Sequence, residues 1–303
     1  MKFFNNSIGA LLLISACTSP DISSETANLA KAMNAISTDI SAVLDPELEA
    51  EANGRRNDAI EAGQAYFSRN ISNCNPNKFS ERLEDLVFPN CALSIIGGEE
   101  RPQSQLEKIE LIQSLLVEYA NNLSLLANSN SASEIQASTA NLIAKTQAFA
   151  QVAGNENTEN GWVFSHSKAV SGLAGFISAQ SRNRMIRSTL IDAKAPIEFA
   201  AEQLIEYLLD PSADRDPILE EWVKIKDARA RFVAAPNSIQ AARQFEAAIE
   251  AYQKVQAKSP AIKLVLFIRA HNALVARVSG PPTVEEAVTL VNEINALIAL
   301  IEA

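Results

Sequence analysis

Along most of this chain, apolar residues return every third or fourth position, in long stretches separated by short polar breaks. The last segment reads most plainly: Val284, Val288, Val291, Ile294, Ile298 and Ile301 form one stripe, and Thr283 with Glu286 makes a capping box at its start. In such a box the hydroxyl accepts from the third helical amide and the carboxylate accepts from the cap's own amide. Two donors that would otherwise be unpaired at a helix start are thereby used. The same signature places Ser104 and Glu107 ahead of Ile109, Ile112, Leu115, Leu116, Tyr119, Leu123 and Leu126. It also places Ser131 and Glu134 ahead of Ile135, Leu142 and Phe149. Asp216-Pro217 sets a cap before a proline at the first helical position, where its missing amide costs least.

These signals predict helices over 24–44, 46–69, 79–88, 103–128, 132–153, 162–180, 184–209, 217–234, 238–257, 261–278 and 283–302. No alternating run bounded by hairpin turns appears, so strands are not expected. The connections are short and polar, which makes consecutive helices antiparallel neighbours. The expected fold class is therefore all-α, an up-and-down antiparallel helical bundle. The stretch 154–161 has no apolar residue, so it marks the boundary if the chain forms two packed sub-bundles, 24–153 and 162–303; it is also short enough for a turn inside one domain.

The chain has 303 residues, a net charge of −10 and 47% hydrophobic residues, which is enough to build a sizeable core. Such an acidic balance lacks the electrostatic footprint of a nucleic-acid binder and mildly favours basic partners. No nucleic-acid partner is expected.

The first seventeen residues carry an address. Ile8 to Ala16 is an apolar run behind Lys2, far below the roughly 20 residues that span a bilayer. It reads as a signal-peptide core ending in small residues. The order Ile14-Ser15-Ala16-Cys17 resembles the lipobox of bacterial lipoproteins. That resemblance implies a signal peptide over 1–16, removal of this leader, and a diacylglycerylated Cys17 bearing fatty acyl chains such as palmitate. Residues 17–23 would then be a short tether, in which six extended residues after the cysteine reach about 20 Å. Thr18, where aspartate would signal retention in the inner membrane, implies the outer membrane, with the body on the periplasmic side. The alternative is an ordinary secretion signal that leaves Cys17 as a thiol.

Cys74 and Cys91 remain, and in an oxidising compartment they are expected to form one disulfide, worth about 3 kcal/mol by loop entropy. Ser165-His166-Ser167-Lys168 resembles the S-x-x-K nucleophile motif of penicillin-binding proteins and serine β-lactamases, in which the lysine lies one turn from the serine. The companion S-D-N and K-T-G motifs are missing. His166 and His271 lie far apart, neither in H-E-x-x-H nor in E-x-x-H, so no metal and no cofactor are expected. His271, between Arg269 and Asn272, is expected on a solvated or hydrogen-bonded face. Asp210, Asp214 and Asp216 lack the glycine and terminal glutamate of an EF-hand loop and read as helix caps rather than a calcium site. Arg182, Arg184, Arg187 and Lys194 form a basic stripe that would contact an anion or an acidic partner, with solvated helix surface as the plain alternative.

The expected function is that of a lipid-anchored helical envelope protein, a non-enzymatic binding or accessory subunit with the membrane and a protein as partners. The alternatives are an immunity-type lipoprotein that neutralises an envelope-targeted toxin and a serine hydrolase using Ser165 and Lys168.

Overall fold

Capping chemistry and apolar period together set where the helices begin. The computed structural model describes residues 22–62, 65–67, 93–95, 104–129, 131–153, 179–213, 215–280 and 283–302. In chain order the elements are α1 (Ser23–Glu61), β1 (Ala65–Phe67), β2 (Leu93–Ile95), α2 (Gln105–Asn128), α3 (Ala132–Ala153), α4 (Ala179–Leu208), α5 (Ile218–Ala234), α6 (Ile239–Gln256), α7 (Pro260–Ser279) and α8 (Val284–Ile301). The fold is an all-α helical bundle, as the periodicity predicts. Among the described residues no helix is long and apolar enough to cross a membrane.

The chain divides into two compact units, one of residues 1–40 with 109–303 and the other of 41–108. The expected boundary at 154–161 lies outside the described residues, as do the predicted helix 79–88 and most of 162–180, while the break predicted between 180 and 184 is absent because α4 is continuous over Ala179–Leu208.

In the 41–108 unit, two expectations are corrected. The predicted break at Asp45-Pro46 is absent, because α1 runs through Pro46. Proline leaves the carbonyl four residues back without its helical donor, but Ala42, Asp45 and Pro46 are all exposed and water can satisfy it. The helix then stops at Glu61 rather than 69, just before Gly63, and residues 65–67 pair antiparallel with 93–95: Ala65 with Ile95, Tyr66 with Ser94, Phe67 with Leu93. Three-residue strands are too short to show a period of two, which is why the pattern does not reveal them. At the start of α2, Ser104 Oγ accepts from the Glu107 amide at 3.1 Å and Glu107 accepts from the Ser104 amide at 3.1 Å. Arg55 donates to the same Glu107 at 3.0 Å. That guanidinium and the cap amide hold the Glu107 carboxyl below its ordinary range.

In the larger unit, hydrogen bonds between helices show the up-and-down order. Ser37 faces Gln113, Asn34 faces Asn121, and Ser23 faces Asn128, so α2 runs antiparallel to α1. Asn122 donates to Ser138 and Thr139, folding α3 back on α2. Arg187 with Ser279 and Glu198 with Asn272 do the same for α4 and α7. The helix α7 is enclosed on most sides, with Leu264, Phe267, Ala270, His271 and Leu274 all fully buried. Leu29, Met33, Ile36, Leu116, Leu123, Leu142, Leu190 and Leu204 fill the core with them, each contributing about 1.5–3 kcal/mol by leaving water.

The stripe expected on α8 divides. Ile294 is buried together with Leu290 and Leu297, whereas Val284 is 83% exposed and Val288 and Val291 are also exposed. At about 100° per residue the apolar positions of this helix span half its circumference, more than its contact with α7 covers. One edge packs and the other faces outward.

Candidate functional site

The loop between α4 and α5 positions the first set of polar groups. Asp216 Oδ1 accepts from the amide of Ile218, the first residue of α5, at 3.1 Å. Its Oδ2 accepts from the Ser259 hydroxyl at 2.6 Å and from the Ala261 amide at 3.2 Å, while Ser259 itself caps α7 by accepting from the Ile262 amide. A single buried carboxylate therefore serves two helix starts, where the macrodipoles also favour negative charge. Close by in the chain, Lys263 donates to Asp39 on α1 at 2.8 Å. Asp216 does bond the start of α5, but the N-cap position expected there falls on Pro217, so the proline precedes the first helical residue instead of occupying it. The second helix that Asp216 serves could not be read from the chain because Ser259 is 43 residues away.

Deeper in the unit, the Tyr119 hydroxyl and His271 Nε2 are 2.7 Å apart and both residues are fully buried. The His271 ring lies edge-on to Tyr119 and parallel to Phe267, with centroids 5.5 and 6.5 Å away. Burial, and secondarily the Lys194 ammonium, push the His271 pKa down to about 4, and burial pushes the Tyr119 hydroxyl up. Both groups are therefore neutral. His271 is hydrogen-bonded as expected but not solvated, and its Nδ1 has no hydrogen-bond partner among the described residues. A neutral, fully buried pair of this kind fixes helix register. Neither residue lines the described surface grooves.

Arg187 and Lys194, seven residues apart on one face of α4, are exposed, and Arg187 donates to the Ser279 carbonyl at 2.8 Å. That contact satisfies one of the last carbonyls of α7. Arg182 and Arg184 fall within α4, but their side chains lie outside the described residues. Cys17, Cys74, Cys91, Ser165, His166 and Lys168 also lie outside them. Among the described residues no group of three His, Cys, Asp or Glu side chains could hold a metal ion.

What this unit does present is apolar surface. A groove of about 520 Å³ runs along the exposed valines of α8, bounded by Arg277, Thr283 and Asn292. A second surface lies on the α5–α6 hairpin. These helices pack through Trp222 on Tyr252 and Phe232 on Phe245, with ring centroids 5.6 and 5.9 Å apart. In α5 only Ile218 and Ala228 are buried, and in α6 only Ala241. Leu219, Trp222, Val223 and Val233 are left outward on α5, with Trp222 47% and Val233 65% exposed. Single exposed apolar residues are ordinary; here four of them share one face of α5, and one is a tryptophan. The sequence pattern missed it, because the apolar period shows which residues share a face and not whether another helix covers that face.

Comparison with protein-family models, curated proteins and solved structures gives no match.

Proposed function

We propose that this chain is a lipid-anchored helical protein of the bacterial envelope, acting as a non-enzymatic binding or accessory subunit. The order Ile14-Ser15-Ala16-Cys17 supports the anchor through its resemblance to a lipobox. The observation that carries the binding role is the outward stripe of Leu219, Trp222, Val223 and Val233, on a unit in which buried Asp216 joins two helix starts and Tyr119 pairs with His271 in the core. Leaving such a stripe in water forgoes burial worth about 1.5–3 kcal/mol for each large apolar side chain, so a bound partner gives the arrangement a purpose.

The test has two arms in cells. An alkyne analogue of palmitate should label the protein, and Cys17→Ser should abolish the label and release the protein from membranes. Affinity isolation of the wild type from crosslinked cells should recover one partner, and Trp222→Ala should lose it. An unlabelled wild-type chain sinks the anchor, and an empty isolation sinks the binding role.

A further inference from the structure

Four features of α5 narrow the chemistry of its partner. The outward stripe follows i, i+3, i+4, i+7 spacing from Leu219 through Trp222, Val223 and Lys226 to Ala230 and Val233, all exposed. That is the footprint a single amphipathic helix covers when it lies along another. Charge comes next: in a chain of net charge −10, the run from Lys224 to Arg231 carries four cations, Lys224, Lys226, Arg229 and Arg231, against Asp227 alone. Lys224 is held by Glu220 and Glu221 at 2.8 and 2.7 Å, whereas Lys226 has no ion pair among the described residues.

The position of Lys226 argues against a second copy of the chain. It stands midway along the stripe, seven residues from both Leu219 and Val233. Two copies paired about a two-fold axis with antiparallel α5 helices would set Lys226 against its own counterpart, and like charges meeting at the centre of an apolar contact are unfavourable. The charge of the whole helix argues against lipid, since α5 also carries Glu220, Glu221 and Asp227, which an anionic headgroup layer would repel.

We infer that the α5 stripe docks an amphipathic helix of a different envelope protein, one whose apolar face carries a carboxylate opposite Lys226. The inference rests on the binding role proposed above and names the chemistry of the partner. The tryptophan and flanking aliphatic groups supply buried area, and the ammonium selects the partner and its register.

A photo-crosslinking amino acid placed at Val223 of the full-length chain, in its native cells, tests this. The expected adduct is a helical segment of another protein with Asp or Glu within the crosslinked peptide. Lys226→Glu should cut its yield about tenfold, the effect of one mispaired charge at an interface, and replacing that carboxylate by lysine in the partner should restore it. Both substitutions sit on exposed positions, so an unchanged melting temperature shows that the fold is intact. A phospholipid adduct, an adduct with a second copy, no adduct, or an adduct indifferent to Lys226→Glu would each overturn the proposal. If a partner still co-isolates undiminished with Trp222→Ala and Lys226→Glu, this docking surface falls and the binding role stands. If the wild type captures no protein, both fall.

Discussion

The Tyr119 hydroxyl meets His271 Nε2 at 2.7 Å across 152 residues of chain, with no water-exposed surface on either side chain. The contact ties α2 to α7 at mid-bundle. A buried polar pair of this kind stabilises modestly when complete and costs much more when halved.

Tyr119→Phe should therefore destabilise by about 1–3 kcal/mol, since the imidazole loses its hydroxyl partner inside the core. Adding His271→Phe should cost less than the sum of the two single changes. A double-mutant cycle by urea denaturation measures the coupling, and strict additivity would show that the pair does not act as one unit.

Acid should weaken the fold through the same histidine. Its pKa falls from the ordinary 6.5 to about 4 in the folded chain, chiefly by burial, so the unfolded chain binds more protons between those values. Stability from this group is complete above about 6.5 and is lost as the pH drops towards 4, with a slope of up to about 1.4 kcal/mol per pH unit. Denaturant titrations at stepped pH should show this component in the wild type and its absence in His271→Phe.

Asp216→Ala removes three hydrogen bonds from two helix starts and should cost about 2–3 kcal/mol, more than an ordinary single cap. Ser259→Ala should cost about 1 kcal/mol. Thermal melts rank the two, and an equal effect would mean that only one of the helices depends on the carboxylate.

On α8 the two edges of the stripe should behave differently. Ile294→Ala is expected to cost about 2–4 kcal/mol because it empties a packed site, while Val288→Ser should change stability by less than about 0.5 kcal/mol. Chemical denaturation of both variants separates the buried edge from the exposed one.

Much of this architecture is legible in the residues. The capping boxes at Ser104 and Thr283 form as their spacing predicts, because both halves of each lie within four residues. At Ser131 the hydroxyl accepts from the Glu134 amide, but the Glu134 carboxylate turns to Ser129 instead, a competition settled by one neighbouring hydroxyl. The pattern predicts a break at Pro46 and none at Pro196, yet both sit inside continuous helices, so proline alone does not end a helix whose freed carbonyl can reach water. Nothing local distinguishes Val288 from Ile294, or Trp222 from a core tryptophan. Those differences arise from how many partners surround each helix, which only the assembled chain reveals.

Asp216 also sets how force would travel through the molecule. A pull on the tip of the α5–α6 hairpin runs down both helices to their common root, where one carboxylate rivets that root to the first turn of α7. Strain from the hairpin is thus delivered to α7, whose Leu264, Phe267, Ala270 and Leu274 are fully buried, rather than absorbed in a slack joint.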